Sequence, residues 1–448
     1  MRLLLILILC ISAPAVLAQA SDPVVQRLEQ AAALIGNNRL VEAERQLTAI
    51  ARTTPNSPVV LNLMGTIRAK QKRLNEAESL FLQALRNDET FKGARMNLVY
   101  LYLLKGDADK ASFQLKEILR FEPNHTEASQ KLLDLLFSNR KYDEYISVAE
   151  KLRAAGPVTA QTLVRLGDAY LAKGILADAE SIYLIALEGR LDNAFALFGL
   201  ARIAHAKGER RETSIFLSRV ATLSADSSSP EFLYEFALLS LRVGMIDQAK
   251  AALQRSLKLL PDQPSYLLAL GVAWLTGGDL FEAEKLFRRL IAIQPDNSLG
   301  QLHLGYVLLN QKKYRDAQLW LEKSARSPNA IPEVFYYLGL VAQEQNDEAR
   351  AIPLFEKAVQ KIPNYVHARI ALGSSYMKLR NYTRAREELE TAVKLDPNEP
   401  TAHYNLALLY ARLNDPVRAQ EEMKIVDSLK AKGGSADGVV VLPAPPRP

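Results

Sequence analysis

Apolar residues recur along this chain in short blocks at helical spacing, and each block is interrupted by a small or turn-forming residue. One alanine sets the period. It stands at Ala43, Ala77, Ala111, Ala179, Ala249, Ala283, Ala317, Ala351, Ala385 and Ala419, spaced by 34 or a multiple of 34 except across one junction. Tyr145 and Thr213 fill the two missing slots, and the step from Thr213 to Ala249 is 36. Twelve residues before this marker lies a second small position, held by Gly65, Gly167, Gly271, Gly305, Gly339 and Gly373, or by Ala31, Ala201, Ala237 and Ala407. Twelve residues after it comes Pro55, Pro123, Pro157, Pro261, Pro295, Pro363 or Pro397. The arithmetic gives six units over 24–227, a two-residue insertion at 228–229, and six more units over 230–433. Below, positions are counted within each unit, so the two small sites are positions 8 and 20.

Each unit reads as two helices. Repeat five has Leu163, Leu166, Gly167 and Tyr170, a turn at Gly174, then Ala179, Tyr183, Ala186 and Leu187. The turn slot holds Gly106, Gly174, Gly208, Gly244 and Gly278, or Asn38, Asn346 and Asn414, which tolerate the left-handed backbone that ends a helix. Proline at the unit boundary stops the second helix. Small side chains at positions 8 and 20 let paired helix backbones approach. They predict contact points, not chemistry.

The pattern Leu-Gly-x-x-Tyr, then Ala-x-x-x-aromatic, then Ala and Pro, resembles the tetratricopeptide repeat. Leu166-Gly167-Asp168-Ala169-Tyr170 with Ala179 and Tyr183 carries the likeness, as do Leu270-Gly271 with Trp274, Ala283, Phe287 and Pro295, and Leu372-Gly373 with Tyr376, Ala385, Ala392 and Pro397. It covers 24–433. Val99, Leu133, Tyr145 and Thr213 depart from it, standing where the family keeps small residues. The resemblance implies an all-α, right-handed superhelical solenoid of about twelve helix-turn-helix repeats with a concave inner groove. The ends fit this count. Arg27 and Gln30 in repeat one and Asp427 in repeat twelve replace apolar residues found elsewhere in the array, as end units with one neighbour require.

In this family the groove is lined by first-helix positions 2, 5, 9, 12 and 13. Position 5 places Phe198, Tyr234, Leu268, Leu302, Tyr336 and Tyr404 there, and position 9 adds Tyr306 and Leu340. These side chains either face a peptide in the groove or pack between neighbouring first helices. Clamping of a C-terminal carboxylate by Lys at position 5 and Asn at position 9 is excluded, because no repeat has Lys at position 5.

Composition adds little chemistry. A formal charge of +6 and 7% aromatic residues give no nucleic-acid surface. The five histidines form no metal motif, no phosphate loop or nucleophile elbow is present, and no cofactor is indicated. The expectation is a non-catalytic scaffold with a protein or peptide partner. The alternative is a subunit of a polysaccharide synthesis or export machine that touches glycan.

The ends speak to compartment. Met1-Arg2, the apolar run Leu3–Ile11, Pro14 and the small residues up to Ala18 or Ala20 have the layout of a secretory signal peptide over 1–20. An uncleaved anchor is the other reading of this leader, and Leu9 argues against lipid modification at Cys10. Cleavage after Ala18 or Ala20 predicts an exported protein, periplasmic or extracellular, without cysteine. Residues Ala225–Pro230 form either a hinge between two six-repeat halves or a longer loop in a continuous stack. The tail at 434–448, with Pro443, Pro445, Pro446 and Pro448, is expected to be disordered, to serve as a polyproline segment that a partner reads, or to fold back over the end of repeat twelve near Met423 and Val426.

Overall fold

The computed structural model describes residues 23–188, 192–223, 229–328 and 330–431. The leader, residue 228 of the insertion and the tail lie outside them. The described residues form 24 helices and no strands, two helices for each of the twelve units. Two compact units divide at Gly199–Leu200, within the first helix of repeat six (Ala194–Ala206) and not at the insertion. Ser229 caps the helix that follows the insertion, its side chain accepting from the Phe232 amide.

In eleven of the twelve repeats the first helix is seen to pack against its own second helix, and successive first helices also touch, as Ser298–Asn310 does with Glu333–Glu344 and Glu333–Glu344 with Val366–Lys378. Positions 8 and 24 meet where the two helices pair, and glycine at position 8 faces leucine in two repeats, Gly305 with Leu321 and Gly373 with Leu389. Where position 24 is aromatic (Phe81, Tyr183, Phe287, Phe355), position 8 is glycine. A Cβ on Gly65, Gly167, Gly271 or Gly339 would come within 2.6, 2.6, 2.5 and 2.4 Å of those rings. Where position 8 is Ala31, Ala201, Ala237 or Ala407, position 24 is Leu47, Leu217, Leu253 or Met423.

Repeat four reverses the exchange. Leu133 occupies position 8 and Tyr145 position 20, and position 24 shrinks to Ala149; all three are buried. The Tyr145 ring packs edge-on against Phe137 at 5.4 Å, and its hydroxyl donates to the Thr162 carbonyl at 3.3 Å. In repeat six the Thr213 hydroxyl is satisfied by donating to the Glu209 carbonyl. The departures in repeats four and six are therefore compensated locally.

All twelve turns use a left-handed residue at position 15. Five are glycines and three are Asn38, Asn346 and Asn414, but Lys72, Arg140, Lys312 and Arg380 also take φ near +60°. The fold forces these four side chains into a conformation that costs about 1–2 kcal/mol outside glycine. A second recurring contact joins neighbouring repeats. The hydroxyls of Tyr170, Tyr376 and Tyr410, all at position 11, donate to Glu150, Glu356 and Glu390 on the preceding second helix at 3.0, 2.6 and 3.1 Å. The ends are polar as expected: the last helix buries only Val426, and Asp427 is exposed.

Two expectations follow. Gly167→Ala should lose about 1–3 kcal/mol in urea unfolding, because Tyr183 cannot retreat: its ring is also met by Gly199, where a Cβ would lie 2.3 Å away. Adding Tyr183→Leu should recover part of that loss, giving a coupling above about 0.5 kcal/mol in a double-mutant cycle. Arg140→Gly should raise stability by roughly 0.5 kcal/mol, since the relieved backbone strain exceeds the added chain entropy of glycine.

Candidate functional site

The first helices of repeats nine, ten and eleven (Ser298–Asn310, Glu333–Glu344 and Val366–Lys378) expose between them a cleft of about 350 Å³. Repeat nine contributes Tyr306, Leu309 and Asn310, with Lys312 and Tyr314 from its turn and second helix. Repeat ten contributes Tyr336, Tyr337, Leu340 and Glu344, and repeat eleven contributes His367. Seven of these ten stand at positions 2, 5, 9, 12 or 13.

The cleft is built from tyrosine. Tyr306 meets Tyr337 with ring centroids 4.9 Å apart, Tyr336 meets Tyr337 at 5.3 Å, and Tyr336 meets Tyr365 at 5.2 Å. The Tyr314 hydroxyl donates to Glu344 at 2.9 Å, and Asn310 donates to the Tyr306 carbonyl at 2.9 Å. Burial, aided by the neighbouring Tyr306 hydroxyl and the Glu399 carboxylate, pushes the Tyr336 phenol up to about 12. The same desolvation raises Tyr337 and Tyr365 further. Behind the ring wall, Glu333 Oε2 and the Tyr365 hydroxyl are buried without a hydrogen-bond partner.

The eight groove candidates separate into two classes. Phe198, Tyr234, Leu268 and Leu302 are buried, between 1% and 8% exposed. Position 5 is covered by the next repeat; Tyr234, for example, packs on Tyr266 at 4.9 Å. Tyr306, Tyr336 and Leu340 are half-buried and line the cleft together. Tyr404 is 44% exposed and stands apart, because no further repeat follows it among the described residues. Leu309, Asn310, Glu344 and His367 also lie at groove positions and were within reach of the same mapping. Tyr337 at position 6 and Tyr314 at position 17 carried no signal in the repeat pattern.

No group of three or more His, Cys, Asp or Glu that could hold a metal ion occurs among the described residues. No helix among them is long and apolar enough to cross a membrane.

Tetratricopeptide repeat family models match residues 131–194, 234–298, 302–366 and 370–424, and a second such model matches 68–136. Among curated relatives, the human protein O-mannosyl-transferase TMTC3 is 20% identical over 73% of this chain and 34% of its own length. The type IV pilus assembly protein PilF of Pseudomonas aeruginosa is 28% identical over 33% of this chain and 59% of its own. Cellulose synthase operon protein C of Pseudomonas fluorescens is 26% identical over 53% of this chain and 20% of its own. The chain thus spans less than two thirds of each of these three relatives. Among solved structures, Pseudomonas aeruginosa PilF matches with a TM-score of 0.41 at 23% identity, covering 46% of this chain and 93% of its own. The Cut9 and Hcn1 hetero-tetramer structure matches with a TM-score of 0.45 at 17% identity, covering 91% and 81%.

The buried phenol of Tyr336 sets an alkaline limit. Below pH 10 it is neutral in both folded and unfolded chains, and its contribution to stability is complete. Between pH 10 and about 12 the unfolded chain loses the proton first, so that contribution disappears. The urea midpoint should therefore fall over this window less steeply in Tyr336→Phe than in the parent. Tyr404→Ala, at an exposed site, should change stability by no more than about 0.5 kcal/mol at neutral pH.

Proposed function

The chain belongs to the tetratricopeptide repeat family, and on that premise we propose that it is an exported, non-catalytic scaffold of a bacterial envelope that holds a polypeptide segment against the first helices of repeats nine to eleven. The observation that carries this reading is the tyrosine-lined cleft, where three consecutive repeats turn residues at groove positions toward one shared space. Rigid aromatic rings with polar tips give large contact area at low entropic cost, which suits recognition of an extended peptide. The leader-like residues 1–20 and the likeness to a pilus assembly protein support an envelope setting. The scaffold reading is supported by a repeat architecture that supplies a long surface.

A second reading, direct contact with glycan within a polysaccharide synthesis or export machine, draws on the likeness to cellulose synthase operon protein C. Tyrosine faces also stack on sugar rings, but Trp274 and Trp320 are the only tryptophans and neither lines the cleft.

In-cell crosslinking followed by pull-down of the tagged protein tests the first reading. A defined set of envelope proteins should be captured, and capture should drop in a Tyr306→Ala/Tyr336→Ala variant whose helicity is retained. Capture that is unchanged in that variant would move the binding surface off the cleft. Capture of glycan without protein would favour the second reading.

A further inference from the structure

We infer that the cleft between repeats nine and eleven selects a guanidinium, the side chain of an arginine in an extended partner segment; this rests on the polypeptide reading above. Two independent features converge on a cation.

The first is the aromatic surface. Elsewhere the chain covers aromatic faces with its own cations: Lys357 sits 4.0 Å from the centre of the Phe335 ring, Lys323 4.1 Å from Trp320, and Arg165 5.3 Å from Phe137. Phe335 is the immediate neighbour of Tyr336. Among the described residues, Tyr306 and Tyr336 have no cation over their faces, although a cation within about 6 Å of such a ring is attracted by its quadrupole.

The second is charge. Glu344 forms one wall of the cleft and is exposed. Glu399 lies 3.9 Å from His367, which lines the cleft. Lys312, in the turn of repeat nine, also lines it, so the carboxylates come from repeats ten and eleven.

The chemistry of the two cationic side chains then decides between them. A planar guanidinium carries five donors, stacks on tyrosine faces and is weakly hydrated; an ammonium is compact and strongly hydrated. Arginine is therefore favoured over lysine.

The test uses two acetylated, amidated peptide pools with random flanks, one with a central arginine and one with a central citrulline, which keeps the shape and loses the charge. Retention of each pool on the full chain is measured at low salt. The arginine pool should be retained roughly tenfold more strongly, and a lysine pool should fall between the two. Glu344→Gln and Tyr306→Ala should each erode the preference, while Tyr404→Ala should leave it intact, with circular dichroism melting confirming that all three variants fold. Equal retention of the arginine and citrulline pools would overturn the inference, as would a preference indifferent to Glu344 and Tyr306. Retention of cello-oligosaccharides with no arginine preference would overturn it as well. If the pools are equal while in-cell capture still depends on Tyr306 and Tyr336, the guanidinium inference falls and the polypeptide reading stands.

Discussion

The closest approach of the paired helices governs everything else in this array. A first helix and its partner can approach closely only where the side chain at position 8 leaves room for the one at position 24. Glycine faces Phe81, Tyr183, Phe287 or Phe355, and also Leu321 and Leu389, while alanine stands opposite Leu47, Leu217 or Leu253. Interiors are packed to crystal-like density, so neither excess nor deficit is absorbed cheaply. Once that contact is fixed, the turn between the helices has little freedom. It must close with a left-handed residue, and Lys72, Arg140, Lys312 and Arg380 accept that geometry despite its cost. Pairing geometry thus overrules local backbone preference at four of twelve turns.

The same constraint positions the cleft. Because first helices stack on first helices within each compact unit, most position-5 side chains are consumed by the neighbouring repeat, as Tyr234 and Leu302 are. Repeats nine and ten differ in gathering Tyr306, Tyr336 and Tyr337 on neighbouring first helices. Tyr337 is buried, while Tyr306 and Tyr336 stay half-buried and line a space with residues of repeat eleven. Burial raises the phenols of Tyr336 and Tyr337, and the Glu333 Oε2 and Tyr365 hydroxyl oxygens are buried without a partner.

Much of the fold was legible because a 34-residue period repeats the same steric demand twelve times. The marker alanines, the small position before them and the prolines after them each report one contact or one chain stop. The site was legible only in part. Mapping by position finds Tyr306, Tyr336 and Leu340, but it cannot separate them from Leu268 or Leu302, since burial depends on how a neighbour's side chains fill the space above. Tyr337 and Tyr314 lie outside the groove positions and entered through the local crowding of aromatic rings. The apparent misfit of Tyr145 was visible in sequence, while its remedy at Ala149 became meaningful only when both were seen to share one space.

Repeat four carries a consequence for how such a chain can be rearranged. Its first helix brings Leu133 and its second brings Tyr145 and Ala149, a combination opposite in volume to that of repeats two, five, eight and ten. A genetic crossover falling in its turn would join Leu133 to a partner helix bearing a phenylalanine, or a glycine-bearing helix to Ala149. The first product is overfilled and the second hollow. A crossover at the boundary between repeats leaves each matched pair whole. The heritable module here is the helix pair with its private volume agreement, and shuffling is viable only at seams that respect it.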